Sequence, residues 1–183
     1  MKSFLYLLLL LVFLSCDKIE ENKIKDVDFF SDEISKNLGT RKIIDLEVKF
    51  SECGEWGGHD ENISIDVRKD GNFYLHYKKY SVDCNKMILV TDIMGTYNSP
   101  DKKLNDSITI RMNNTQKKSI LNFSQILLGA KFREYFPGHA GNRFNLYKHE
   151  GLSGSDFEIN FYGYDSILHN SYNKLIKDIK KLN

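Results

Sequence analysis

The sequence lacks three features that would place it at once in a common class. Its longest apolar run, residues 4–14, has eleven residues, whereas a transmembrane helix needs about 20. Basic and acidic residues nearly balance, at 26 and 25 in a chain of 183. The chain shows no internal repeat, and its length suits one domain. A general nucleic-acid-binding role is therefore disfavoured, because the chain has no excess of positive charge with which to neutralise phosphates.

The motifs of common catalytic and metal sites are missing as well. The sequence contains no G-x-S-x-G, no H-E-x-x-H and no Walker A loop. Its three cysteines include no closely spaced C-x2-4-C pair, and its five histidines include no H-x3-5-H pair. The sequence thus indicates no catalytic residue, no cofactor and no metal ligand, and an enzyme is the less favoured interpretation.

What the sequence does contain at its start is an export signal. One lysine, the apolar run and then Ser15-Cys16 are typical of a secretory signal peptide. A small residue followed directly by cysteine resembles the lipobox of bacterial lipoproteins, which have a type II signal peptide. The resemblance implies that residues 1–15 are removed, that Cys16 carries palmitate-type acyl chains, and that the protein is anchored to a membrane through them.

The residues that follow Cys16 are predicted to be a tether. Residues 16–26 comprise the lipidated cysteine and a charged stretch without aromatic residues, and residues 27–183 form one globular domain. Acidic residues soon after the anchor cysteine, here Glu20 and Glu21, resemble a surface-export signal of lipoproteins in the Bacteroides and Flavobacterium group. We therefore expect a bacterial outer-membrane rather than inner-membrane lipoprotein, at the periplasmic face or the cell surface.

Alternating apolar residues predict most of the strands, and one turn fixes a register. A two-residue loop at residues 70–71 would place the apolar residues of its two strands on opposite faces of the sheet. A three-residue loop with Gly71 in the left-handed conformation instead pairs Val67 with Phe73 and Ile65 with Leu75. The second register is predicted because it buries all four apolar side chains on one face.

The remaining segments complete an α+β domain. Residues 43–50, 106–113, 143–149 and 156–164 are predicted strands, and the nearly continuous apolar residues 86–97 predict a central strand that ends before a turn at 99–101. Helices are expected at residues 30–38, at 119–136 with Leu121, Leu128 and Phe132 on the apolar face, and at the C-terminus. The predicted fold is a single antiparallel sheet of about six or seven strands, with two or three helices packed on one face.

Two cysteines remain once Cys16 is lipidated. Outside the cytoplasm an even pair is more often a disulfide than two free thiols. The predicted hairpin register places Cys53 and Cys84 at the same end of the hairpin. We therefore expect a disulfide between them, which would close a loop of about 30 residues and stabilise the domain by roughly 3 kcal/mol.

The segment CGEWGGHDE, residues 53–61, holds the only tryptophan and several polar side chains in a glycine-rich loop. An aromatic residue presented in this way is typical of a partner-binding surface. The alternative, which the sequence leaves open, is that Trp56 folds back and caps the end of the sheet as part of the core. The candidate partner-binding residues are Glu55, Trp56, His59, Asp60 and Glu61. The same loop is similar to one in small lipoproteins of the Bacteroides and Flavobacterium group that carry no assigned activity.

These observations favour a lipid-anchored extracytoplasmic binding or interaction module with a protein partner and no nucleic acid. Toxin immunity and envelope assembly are two concrete forms of that function. The alternative is a metal-dependent hydrolase that uses His59 and His139, which lie in two separate loops. A third interpretation, a lipocalin-like carrier, rests on the 22 phenylalanine and tyrosine residues, but the predicted helices occupy much of that apolar surface.

Overall fold

The computed structural model describes residues 30, 41–54, 58–92, 95–134, 141–149 and 157–181. The chain divides into two compact units, residues 1–31 and 32–183, and the second contains every strand and helix described below. The predicted signal peptide, the lipidation site, the tether and nearly all of the first predicted helix lie outside the described residues.

The second unit is built on one open antiparallel sheet. Its six strands lie in the order β4-β3-β2-β1-β5-β6, so that the first four form a meander and the last two pair on the other side of β1. The strands are β1 (Arg41–Lys49), β2 (Asp60–Val67), β3 (Phe73–Asp92), β4 (Gly95–Arg111), β5 (Asn142–Lys148) and β6 (Phe157–Gly163).

Two helices complete the described part of the domain. Helix α1 (Asn114–Arg133) connects β4 to β5 and begins at a capping box, in which Asn113 and Gln116 each accept a backbone N–H from the other. Helix α2 (Ser166–Lys180) follows β6, and Asp165 caps its start by accepting the Leu168 N–H. Neither helix is long and apolar enough to cross a membrane.

The core lies between the helices and one face of the sheet. Phe144 of β5 contacts both Phe123 of α1 and Tyr172 of α2, so both helices cover the same face. Alternate strand residues are almost fully buried there, whereas their neighbours point to the opposite face. No described helix covers that face, and we call it the uncovered face. The predicted α+β fold with a single sheet is therefore confirmed, with six strands and two helices among the described residues.

The predicted hairpin register is also confirmed. Ile65 pairs with Leu75 and Val67 pairs with Phe73, and all four side chains are buried. Gly71 has a φ of 72°, a left-handed conformation that glycine adopts without steric cost. One polar turn and the need to bury a single face were enough to determine this pairing.

The prediction of a central strand at residues 86–97 is wrong. These residues instead span the end of a long hairpin, in which β3 continues to Asp92 and β4 begins at Gly95. Beyond Tyr80, β3 pairs only with β4 among the described residues. The predicted turn at 99–101 is part of β4, where Pro100 is tolerated because β4 is an edge strand. We call residues 87–92 and 95–100 the ribbon.

The apolar face predicted for α1 is wrong as well. Leu121, Leu128 and Phe132 are exposed, by 36, 41 and 84% respectively. The buried face consists instead of Ile120, Phe123, Leu127 and Ala130. Both sets have helical spacing, so periodicity alone could not decide which one faces the sheet.

The buried and exposed faces of α1 provide a matched pair of substitutions. Leu127 is fully buried and its neighbour Leu128 is 41% exposed. We expect Leu127→Ala to lower the free energy of unfolding by about 2–5 kcal/mol, because it leaves a cavity under the helix. Leu128→Ala should change it by less than about 1 kcal/mol. Urea denaturation of both variants is the measurement, and equal losses would contradict the assignment of the faces.

Candidate functional site

The predicted binding loop is only partly within the described residues. Cys53, Gly54 and residues 58–61 are described, whereas Glu55 and Trp56 lie outside. Asp60 and Glu61 begin strand β2, and adjacent strand residues point to opposite faces. The structure therefore separates the predicted cluster, because Asp60 lies on the uncovered face of the sheet and Glu61 lies under the helices.

The predicted disulfide is present. Cys53 is bonded to Cys84 with a Cα–Cα distance of 5.3 Å, within the usual range for a disulfide. Cys84 lies at an irregularity in β3, where Asp83 pairs with Asp101 but the next paired residue is Met87, opposite Pro100. The bond therefore joins the predicted binding loop to the base of the ribbon.

Glu61 is the centre of a buried polar network. Its side chain is only 6% exposed. Its Oε2 accepts hydrogen bonds from the Tyr77 hydroxyl at 2.8 Å and the Tyr172 hydroxyl at 2.9 Å. Its Oε1 lies 2.9 Å from Lys79 Nζ and 3.1 Å from His59 Nε2. The carboxylate thus joins β2, β3, α2 and the end of the predicted binding loop.

These contacts strongly favour the ionised form of Glu61. Burial by itself would raise its pKa, but hydrogen bonds from His59, Lys79, Tyr77 and Tyr172 outweigh this and lower the pKa to about 2. Burial and the adjacent carboxylate in turn raise the pKa of both tyrosines, so each keeps its proton and donates it. The group is a permanent anion with four donors at neutral pH.

His59 connects this network to the loop. Its ring stacks on Phe50 with centroids 4.2 Å apart, and its Nδ1 contacts a carboxylate oxygen of Glu52. The Glu52 carboxylate also accepts the backbone N–H of His59 at 2.9 Å. Gly58 is required there, because a Cβ atom would lie 2.5 Å from the Phe50 carbonyl oxygen. The loop is therefore closely packed on both sides of the histidine.

The polar atoms of Glu61 and His59 are already engaged with other groups of the same chain. Both oxygens of Glu61 are taken by donors of the same chain, and both ring nitrogens of His59 face carboxylates. Among the residues that the structure describes, no group of three or more histidine, cysteine, aspartate or glutamate residues is arranged to hold a metal ion. His139, the other residue of the hydrolase hypothesis, lies outside them. The Glu61 carboxylate therefore has no free acceptor among its described contacts, and its hydrogen bond with His59 holds the end of the loop in place.

Asp60 has a different environment on the uncovered face. Its Oδ2 lies 2.7 Å from Lys102 Nζ of β4. Its Oδ1 is buried and has no hydrogen-bond partner in the structure. The ion pair crosses β3, so it joins β2 to the edge strand at the point where the ribbon begins.

Sequence reasoning missed three members of the network. Tyr77, Lys79 and Tyr172 lie 16, 18 and 111 residues from Glu61. The confirmed hairpin register pairs Glu61 directly with Lys79, so that contact was within reach of the sequence. The contact with Tyr172 depends on how α2 crosses the sheet, and nothing in the local pattern indicates it.

Comparison with known proteins gives no relationship from which an activity could be transferred. No protein-family model matches this chain, and no curated protein matches it either. The function must therefore be inferred from the chain's own geometry.

The Glu61 network predicts a defined response to acid. The folded pKa of about 2 is below the ordinary value of 4.5, so the contribution of this carboxylate is complete above about pH 4.5 and is lost as the pH falls toward 2. The expected loss is on the order of 3 kcal/mol. Urea denaturation between pH 6 and about pH 2 measures it. In Glu61→Gln this component of the pH dependence should be missing, and an unchanged profile would contradict the assignment.

The disulfide predicts a response to reduction. Its half-cystines are 31 residues apart, and reduction should lower the free energy of unfolding by about 3 kcal/mol. The measurement is urea denaturation with and without reductant. A variant with both Cys53→Ser and Cys84→Ser is the control and should not respond to the reductant. Equal stability of the oxidised and reduced wild-type protein would contradict a structural role for the bond.

Proposed function

We propose that this protein is a lipid-anchored, extracytoplasmic binding module of the bacterial cell envelope, and that a protein partner contacts its ribbon. The observation that carries the proposal is a two-stranded projection with apolar side chains on both faces. Toxin immunity and envelope assembly remain the two concrete forms of this function. An enzymatic role finds no support in the Glu61 network, whose polar groups are used within the fold.

The ribbon exposes apolar side chains that a solvated hairpin does not need. Leu89 is 71% exposed, Tyr97 46%, and Met87 and Ile88 39% each. Consecutive residues point to opposite faces, so Met87 and Leu89 lie on one face and Ile88 on the other. Val90 pairs with Tyr97, which places that tyrosine on the face of Ile88. Contiguous apolar exposure of this kind is typical of an interaction site.

The backbone of the ribbon also favours a protein partner. A two-stranded hairpin without a third strand is marginally stable in water by itself. Each of its strands also has an edge with no pairing strand among the described residues. Unpaired strand edges are templates for pairing with another chain. A protein partner that adds a strand and covers the apolar side chains would satisfy both needs.

The base of the ribbon is fixed by covalent and ionic contacts. Cys84 is bonded to Cys53, and Lys86 Nζ lies 2.6 Å from Asp101 across the irregularity in β3. Lys102 binds Asp60 on the neighbouring strand β2. A projection held in this way loses less conformational entropy when a partner binds it. The same disulfide brings the predicted binding loop to the base of the ribbon, so the loop extends the proposed surface.

The proposed membrane anchor can be tested directly. Metabolic labelling of the producing bacterium with an alkyne-bearing palmitate analogue should label the wild-type protein, because the lipobox resemblance implies acylation at Cys16. Cys16→Ser should abolish the label and release the protein from the membrane fraction. Equal labelling of Cys16→Ser would contradict the anchor. Cys84→Ser is the control, because that cysteine is not the predicted acceptor and its loss should leave the label unchanged.

The proposed partner surface predicts a position-dependent cross-link. A photo-reactive amino acid in place of Leu89 should give a discrete protein adduct after irradiation of intact cells. The same substitution at Leu128 should not, although Leu128 is also exposed, because it lies on the outer side of α1. The adduct from position 89 should disappear when Tyr97→Ser is added. Adducts of equal yield from both positions would contradict a specific role for the ribbon.

A further inference from the structure

The two helices carry an excess of positive charge that the strands do not share. Together they contain seven basic residues and one acidic residue, Asp178. The six strands contain 11 basic and 10 acidic residues. Because both helices cover the same face of the sheet, the excess lies on one side of the domain.

The helices lie side by side and run antiparallel. The Ser119 hydroxyl, near the start of α1, donates to Asp178 near the end of α2 at 3.1 Å. At the other end of the pair, Arg133 of α1 lies 2.9 Å from Asp165, which caps the start of α2. The first turns of α1 are therefore beside the last turns of α2.

Four exposed lysines come together at this end of the helices. Lys118 of α1 and Lys174 of α2 line the same groove between the two helices. Lys177 and Lys181 follow Lys174 at helical spacing, so they lie on the same side of α2. We call these four residues the basic patch. It ends before Leu128, which lies about 15 Å further along α1 than Lys118.

Most of the basic patch has no counter-charge within the chain. Lys118, Lys174 and Lys177 form no ion pair with any residue that the structure describes. Lys181 lies 3.7 Å from Asp178, whose carboxylate also accepts the Ser119 hydroxyl. One shared carboxylate cannot neutralise four lysines, so the patch is available to an anion outside the chain.

The groove within the basic patch adds uncharged donors. It has a volume of about 260 Å³, and besides its two lysines it is lined by Thr115, Ser119, Asn122, Ser171, Leu175 and Asp178. Hydroxyl and amide groups can donate hydrogen bonds to phosphate oxygens, and lysine is a common phosphate-binding residue. The groove therefore combines charge with donors of the kind that a phosphate diester accepts.

We propose that the basic patch lies against the anionic phospholipids of the bilayer to which the protein is anchored. The inference rests on the lipid anchor proposed at Cys16 and does not involve the ribbon. Each lysine near an anionic bilayer strengthens binding by about fivefold. A tethered domain meets its bilayer at a high effective concentration, so a patch of this size is sufficient.

Anionic macromolecules in solution match the basic patch less well. The chain as a whole is nearly neutral, with 26 basic and 25 acidic residues, so it attracts a distant polyanion only weakly. Nucleic-acid-binding proteins commonly contact about 6–10 phosphates, more than four lysines can neutralise. A protein partner would usually bury an apolar centre, whereas the side chains that define this patch are charged.

The test measures how fast each lysine reacts with a neutral amine-reactive reagent. The acylated wild-type protein is placed on vesicles of phosphatidylcholine alone, or of three parts phosphatidylcholine to one part phosphatidylglycerol. We expect Lys118, Lys174 and Lys177 to react at least about fivefold more slowly on the anionic vesicles, as measured by mass spectrometry. Lys78 is the matched control, because it is exposed on the uncovered face without an ion pair, and its rate should not change.

The outcomes separate this inference from the proposed anchor. Protein that fails to float with either kind of vesicle would overturn the anchor and this inference together. Flotation with both kinds, but equal rates at the basic patch, would overturn this inference alone. Equal protection by heparin on the neutral vesicles would show a general polyanion site and would also overturn the assignment to the bilayer.

Substitutions test the electrostatic origin of the contact, with Lys181 as the reporter. The combined variant Lys118→Gln, Lys174→Gln and Lys177→Gln should lose the protection of Lys181, because binding is weakened by about 100-fold. Lys78→Gln should keep it. Salt at about 1 M should also remove it, since the screening length falls from about 10 Å at 0.1 M to about 3 Å. Protection that survives in the combined variant would contradict the proposal.

Discussion

The Glu61 carboxylate is the point at which most parts of the domain are joined. Burying an ion is costly unless hydrogen bonds and an opposite charge replace its water, and here two hydroxyls, an ammonium and an imidazole do so. One of the hydroxyls belongs to Tyr172, so α2 must cross β2 at this place. The histidine contact holds the preceding loop. A single satisfied charge therefore specifies how helix, sheet and loop fit together.

This constraint leaves the two faces of the sheet with different properties. The helices and the Glu61 network occupy one face, where the oxygens of the Glu61 carboxylate already accept four hydrogen bonds from described residues. The other face is covered by no helix among the described residues, and β3 and β4 extend past the rest of the sheet as the ribbon. The surfaces available for recognition are consequently the uncovered face, the ribbon, the predicted loop at its base and the outer side of the helices. None of them interferes with the packing of the core.

How much the sequence could predict depended on whether local patterns had one solution. The first hairpin had a single solution, because only one register places all its apolar side chains on one face. That register was confirmed. Helix α1 had two possible buried faces, since Leu127 and Leu128 belong to different stripes of similar apolar character. The ribbon was missed because a continuous apolar run is typical of a buried strand. The partners of Glu61 were missed because Tyr172 is brought to it only by tertiary packing.

We propose that a protein partner encloses the ribbon on both faces in the cell envelope. The most direct measurement is the rate at which a membrane-impermeant maleimide labels Leu89→Cys and Ile88→Cys, whose positions lie on opposite faces of the ribbon. We expect both cysteines to react at least about tenfold more slowly in isolated envelopes than in the purified protein, because a bound partner would shield them; a tenfold change corresponds to about 1.4 kcal/mol. Leu128→Cys should react equally in both. Equal rates in the two preparations at positions 88 and 89 would contradict the enclosure of the ribbon by a partner.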